Sequence, residues 1–242
     1  MIKKIKDFTD INGGNTPFMS VIKTEGMFSV NESDGVYVQV LNGVNTLAIS
    51  LMGTSATVCS LETTADTEEL CSFLQFRHTE SLLSDFLFDG FDLQRKSLMR
   101  TDSRGESFGN VKEITPASRL GDYEKVFPLL SADGDFNVWY PVFSRKVNNS
   151  FAYGVYAEED GAYVSCAIAP YASEKTAVIA GVYTDEAYRG KGYATQCVKT
   201  LLNKLKNNGV DNTYLWCEHK NINFYKNIGF EMCGEVYVKE EK

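Results

Sequence analysis

One stretch of this chain constrains its fold more than any other. Ala177-Val178-Ile179-Ala180-Gly181-Val182-Tyr183-Thr184 is a near-continuous apolar run. It reads as a central strand buried on both faces. After four intervening residues comes Arg189-Gly190-Lys191-Gly192-Tyr193-Ala194. A long helix starts inside that loop. Its apolar positions, Tyr193, Ala194, Cys197, Val198, Leu201, Leu202 and Leu205, repeat at helical spacing, and Asn207-Asn208-Gly209 ends it.

Strand, glycine loop and helix N-terminus together make an anion site. The first amides of a helix have no intrahelical acceptor, and the helix dipole adds partial positive charge there. Gly190 and Gly192 carry no Cβ, so the backbone can approach a diphosphate closely. Arg189 and Lys191 add cationic side chains nearby. The spacing excludes two common nucleotide loops. It is neither G-x-x-x-x-G-K-[ST] nor G-x-G-x-x-G.

The rest of the chain is read around this unit. The 242 residues, 43% of them apolar, allow one large domain or two small ones. Thr101 to Pro116 turns polar and reads as a linker. This gives an α/β N-terminal domain over 1–110 and a second domain over 111–242. In the first, Val36–Leu41, Thr46–Leu51 and Ala56–Cys59 are strand candidates, with a hairpin turn at Met52–Ser55. Asp66 with Glu69 three residues on marks a helix start, followed by Leu70, Phe73 and Leu74. No glycine loop or catalytic cluster appears there, so this half reads as structural or substrate-shaping. The second half opens with helices over Ala117–Leu130 and Val138–Val147, then strands over Phe151–Ala157 and Ala162–Ile168. Thr213–Cys217 reads as the strand after the long helix. The fold class is α/β with a mixed sheet.

Composition excludes several function classes. A net charge of −8 argues against a nucleic-acid partner, which needs a broad cationic surface. No apolar run approaches the ~20 residues that span a bilayer, and the N-terminus lacks a signal-type apolar core. The six cysteines form no C-x-x-C pair and read as buried thiols of a reducing, cytoplasmic compartment. With two histidines in the chain, no metal site is expected.

Val182 to Ala194 resembles motif A of the GNAT superfamily of N-acetyltransferases: a strand, then R/Q-x-x-G-x-G/A, then a helix. Arg189, Gly192 and Ala194 occupy the defining positions. Asn221-Ile222-Asn223-Phe224-Tyr225-Lys226-Asn227-Ile228-Gly229-Phe230 resembles the family's N-x-x-F/L-Y-x-x-x-G-F segment. The N-terminal half is similar in outline to a degenerate GNAT repeat, as in tandem members.

The resemblance implies the GNAT fold, acetyl-CoA or another acyl-CoA as cofactor, and an acceptor amine on a small molecule or peptide. It places the main chain of Val182, Tyr183 and Thr184 on the pantetheine arm and acyl carbonyl. Amides from Arg189 through Gly190, Lys191, Gly192 and Tyr193 to Ala194 take the pyrophosphate, and Asn221 touches pantetheine. Tyr225 matches the tyrosine near the CoA sulfur and is expected to protonate the thiolate. Many relatives carry a glutamate on the strand before the loop, and this chain has none between Ala177 and Thr184. Water-mediated deprotonation helped by Glu218 is the substitute, with a solvated strand-end residue as the alternative. His219 reads as a surface histidine and Cys217 as a buried thiol rather than a nucleophile. Trp139 and Tyr140 are expected on the acceptor side. Two other readings stay open: a non-catalytic acyl-CoA sensor or module, and an acetyltransferase of protein N-termini or lysines. Homodimerisation is a further expectation.

Overall fold

The structure is a computed structural model that describes residues 1–7, 11, 13–29, 31–130, 135–173 and 175–240. In its first half the elements are β1 (Ile2–Ile5), α1 (Pro17–Phe28), β2 (Gly35–Leu41), β3 (Val44–Met52), β4 (Ser55–Ser60), α2 (Thr67–Phe76), β5 (Ser81–Ser84) and β6 (Gln94–Thr101). The second half holds β7 (Val111–Ile114), α3 (Leu120–Leu130), α4 (Phe136–Asn148), β8 (Tyr153–Glu159), β9 (Ala162–Ala169), β10 (Tyr171–Ser173) and β11 (Thr176–Val178). Then follow β12 (Gly181–Thr184), α5 (Tyr193–Asn207), β13 (Asn212–Cys217), α6 (Ile222–Lys226) and β14 (Glu231–Lys239). Parallel and antiparallel pairs coexist, so the fold is mixed α/β as the sequence implies.

Two compact units interleave along the chain. The first comprises Met1–Met99, Trp216–Ile222 and Met232–Lys242, and the second Arg100–Leu215 and Asn223–Glu231. The first unit thus takes most of β14, from Met232 on, along with the N-terminal strands.

In the first unit β1, β2, β3 and β4 form an antiparallel run, β5 joins β4 in parallel, and β14 pairs antiparallel with β5. Helix α1 starts at Thr16, whose hydroxyl accepts the Met19 amide at 3.2 Å, with Pro17 at the first helical position. It is buried on most of its surface and carries no one-sided apolar stripe, which is why the sequence reading passed over it. Helix α2 starts where expected, its Asp66 carboxylate accepting the Glu69 amide at 2.9 Å. Its Leu70 and Leu74 complete a core with Leu47, Ile49, Leu51 and Val58.

The second unit repeats this order. Strand β7 pairs with β8, β8 with β9, and β9 with β12, all antiparallel. The hairpin β8–β9 turns on Asp160 (φ +52°) and Gly161 (φ +81°), the left-handed pair that two-residue hairpins favour. Helix α5 follows, then β13, which lies parallel to β11. Each unit thus reads strand, helix, antiparallel strands, helix, parallel strand; the second unit doubles the first helix as α3 and α4 and carries the extra strands β10 and β11 between β9 and β12. On α5 the residues Cys197, Val198, Leu201, Leu202 and Leu205 are buried, as the stripe predicts, while Tyr193 and Ala194 stay half-exposed at the loop.

One expectation is corrected. The run Ala177–Thr184 is two strands, not one. Thr176–Val178 is fully buried and Gly181–Thr184 is half-exposed, with Tyr183 37% accessible.

Candidate active site

The break in that run opens the site. The Ile179 amide donates to the Tyr214 carbonyl at 2.8 Å, and the next amide, Ala180, donates to the Ile168 carbonyl at 3.2 Å. The backbone changes partner within one step, from β13 to β9. Beyond it β12 is the last strand of its sheet, paired with β9 on one edge only.

Antiparallel partners alternate along a strand, so successive residues point their main-chain groups to opposite edges. Asp185 donates to Val164 at 2.9 Å, and Tyr183 offers its carbonyl to the Ser165 hydroxyl at 2.8 Å. These residues face β9. Within β12 the main-chain groups of Val182 and Thr184 therefore face the open edge, whereas Ala180, which precedes the strand and bonds one residue off its register, turns toward β9. The Thr184 carbonyl meets Arg189 Nε at 3.3 Å there, which agrees with this phase.

The open edge leads into the loop. Asp185 caps a single turn over Glu186–Tyr188, accepting the Ala187 amide at 2.9 Å. Gly190 and Gly192 then take φ of +77° and +86°, a region costly for any residue with a Cβ. Gly192 is the N-cap of α5 and offers no side-chain acceptor. The first bond back into the loop is Gln196 N–H to the Gly192 carbonyl at 3.1 Å. The amides of the first turn are thus left for a ligand. A Cβ at Gly190 or Gly192 would meet no protein atom within 4 Å, so the space against the loop is open. The Arg189 amide is not part of this set, since it donates to Glu186 at 3.3 Å.

The loop's cations are held by the chain itself. Arg189 pairs with Glu186 at 3.0 Å. Lys191 pairs with Glu159 at 3.1 Å and lies 4.9 Å from the centre of the Tyr188 ring. The Tyr193 hydroxyl bonds to the same Glu159, and the two partners hold that carboxyl below its ordinary range. Sequence reasoning missed Glu159 and Glu186. The Asp160-Gly161 turn was the signal that Glu159 closes a hairpin, but nothing in the sequence places that hairpin end at the loop.

Tyr225 belongs to the same unit as the loop. It is half-buried, with its ring edge-on to Phe224 at 4.9 Å and to Phe230 at 5.8 Å. The amides of Ile228 and Phe230 both return to the Tyr225 carbonyl, at 3.0 and 3.1 Å. The Tyr225–Phe230 segment is therefore a closed turn that fixes the phenol.

Glu218 and Asn221 belong to the other unit. Glu218 is exposed and pairs with Lys220 at 2.6 Å, which lowers its pKa. Asn221 is exposed on the following turn, its amide donating to the Glu218 carbonyl at 2.9 Å. Cys217 is buried beside Met99, and burial raises its pKa, which disfavours the thiolate a nucleophile needs. Trp139 stacks on Phe143 at 4.8 Å, and Tyr140 on Phe136 at 5.4 Å. Both lie in the aromatic layer packed against Tyr123.

The counterpart in the first unit is closed. Strand β4 keeps β3 on one edge and β5 on the other over the same residues, so no edge opens. Helix α2 carries the Asp66 carboxylate on its N-terminus, with Glu68 and Glu69 in the first turn. An anion would meet negative charge there.

Among the described residues, no helix is long and apolar enough to cross a membrane, and no group of three His, Cys, Asp or Glu side chains could hold a metal.

At the level of sequence, no curated protein matches the chain. The model of the acetyltransferase (GNAT) family matches residues 121–230. A solved GNAT-family acetyltransferase from Novosphingobium aromaticivorans superposes with a TM-score of 0.64 at 14% identity, covering 94% of this chain and 97% of that one. A GCN5-related N-acetyltransferase from Kribbella flavida gives 0.63 at 12% identity, with coverage of 95% and 97%. A tandem GNAT protein from the clavulanic acid biosynthesis pathway gives 0.60 at 10% identity and covers 100% of this chain and 98% of its own, which suits the repeated element order. The split strand, the glycine loop and the Tyr225–Phe230 turn all fall inside the matched segment, and residues 121–230 belong to the acetyltransferase (GNAT) family.

Proposed function

We propose that the chain is an acyl-CoA-dependent N-acetyltransferase that passes an acetyl group directly to the primary amine of a small molecule or peptide. The observation that carries this reading is the open edge of β12 running into an uncapped helix N-terminus. That arrangement fits a long donor with an amide-rich arm and a diphosphate. Main-chain groups of Val182 and Thr184 pair with the arm, and the amides of Gly190 to Ala194 hold the diphosphate.

Bound acyl-CoA supplies an activated thioester carbonyl. The chain's own groups do the rest. Val182 rather than Tyr183 polarises the carbonyl oxygen, because the Val182 amide faces the open edge. Tyr225 holds a proton on its phenol oxygen for the departing sulfur. Glu218, kept ionised by Lys220, accepts the amine's proton through water. The free thiols of the chain fit a reducing, cytoplasmic setting.

A second reading is a non-catalytic acyl-CoA-binding module. Glu218's engagement with Lys220 and the absence of a carboxylate between Ala177 and Thr184 favour it. One experiment separates them: CoA release with acetyl-CoA against a panel of amines, amino acids, peptides and protein N-termini. Turnover with a small amine or peptide supports the enzyme, and turnover confined to protein N-termini or lysines redirects it to protein acetylation. Donor binding without turnover supports the module, and no donor binding sinks both.

A further inference from the structure

Glu159 sits at the end of β8, where the β8–β9 hairpin turns, and has no place in the chemistry above. Two residues of the donor loop converge on it. Lys191, between the two loop glycines, reaches it at 3.1 Å, and Tyr193, the first helical residue, bonds to it through its hydroxyl. These residues flank Gly192. Lys191 is held from a second direction by the Tyr188 ring, 4.9 Å from its ammonium. The other loop cation, Arg189, is engaged by Glu186 and by the Thr184 carbonyl.

The geometry points to Glu159 as a latch that holds Lys191 away from the donor's phosphates, so that the loop grips the diphosphate through backbone amides alone. Glu159 is a positioning residue, acting on the donor through Lys191. The pair is partly exposed, with side-chain accessibilities of 49% and 30%, so it adds little to folding stability. Its effect is on charge at the loop. With Glu159 ionised, the Lys191 charge is locally cancelled, and a polyanionic donor gains little from it. Loss of the carboxylate frees one positive charge within reach of the anion. This inference rests on the reading of the loop as the acyl-CoA site.

The test is calorimetric titration of the full chain with acetyl-CoA at low and high salt. Glu159→Gln keeps an acceptor for Tyr193 but removes the charge. It is expected to tighten acetyl-CoA binding by about three- to tenfold at low salt, with most of the gain lost at high ionic strength. Lys191→Ala is expected to weaken binding at least fivefold more in the Glu159→Gln background than in the native one. Asp160→Asn removes a neighbouring carboxylate that does not bond Lys191, and should move affinity less than twofold. The latch is overturned if Glu159→Gln leaves affinity unchanged or weaker, if Lys191→Ala has the same effect in both backgrounds, or if Asp160→Asn matches Glu159→Gln. Failure of the native protein to bind acetyl-CoA in the same titration sinks the donor site itself and the latch with it.

Discussion

Gly105 lies so close to the carbonyl of Lys199 that a Cβ built on it would stand 1.8 Å from that oxygen. The contact is part of a strap. Ser107 accepts from Asn203 at 2.7 Å, Arg104 reaches Asn203 at 3.2 Å, and Asn110 donates to Gln196 at 2.8 Å. The polar segment after β6 is thus laid along α5, the helix whose N-terminus forms the donor loop. Gly105→Ala must push the strap or the helix aside. We expect it to cost about 1–3 kcal/mol, the range for overpacking a close contact. A urea melt checks this, and a midpoint equal to that of the native chain would mean that the strap is not held in solution.

Gly192 makes the opposite kind of prediction. A Cβ there meets no protein atom, so the penalty for Gly192→Ala in the free protein is conformational, roughly 1–2 kcal/mol for the left-handed backbone. The methyl would instead stand where a diphosphate approaches the amides. Donor affinity is expected to fall by about tenfold or more, while the fold survives. Titration with acetyl-CoA beside a thermal melt separates the two effects. Unaltered affinity in a folded variant would remove the loop from the donor site.

The closed counterpart in the first unit predicts stoichiometry. Asp66, Glu68 and Glu69 put negative charge on the α2 N-terminus, and β4 has no free edge. One acyl-CoA should bind per chain. A calorimetric ratio near two would show that the first unit also takes a donor and that its acidic helix start does not exclude one.

How far the site was legible in the sequence depends on the range of the interaction. The glycine loop, the α5 stripe and the Asp66 cap are local patterns, and each reads directly from neighbouring residues. The split of Ala177–Thr184 is not local. The run is apolar throughout, and only its change of partner from Tyr214 to Ile168 divides it. Helix α1 escaped for a related reason, since burial on most sides removes the amphipathic stripe that marks a helix. Glu159, 32 residues before Lys191, shows the same limit for charge, whereas Glu186 is only three residues from Arg189 and was within local reach. Lys191 reads as a free cation in the sequence, and only the fold brings the Glu159 carboxylate to it.

Tyr225 is held by a closed turn, with Phe230 almost fully buried behind it. Tyr225→Phe should preserve that packing and remove only the hydroxyl. If the phenol protonates the leaving sulfur, kcat falls by roughly a hundredfold or more, starting at the lower end of the range for general acids. Donor affinity should change far less. Full turnover by Tyr225→Phe on a true substrate would assign the residue to packing.

Glu218 yields a prediction about pH. Lys220 lowers its pKa, so the carboxylate is ionised at every pH above the ordinary range near ~4.3. The sign follows: as an ionised proton acceptor it is competent throughout the neutral range, and it loses that competence only as pH falls through its depressed pKa. An acid limb in kcat/KM at neutral or alkaline pH must then come from deprotonation of the acceptor amine. Glu218→Gln should lower the plateau by no more than about tenfold, since water can carry the proton in its place, and should leave that limb where it is. A pH–rate profile of both proteins on one amine decides the matter. A limb that disappears in Glu218→Gln would make Glu218 the titrating base, with a pKa in the working enzyme raised far above the one its pairing with Lys220 sets.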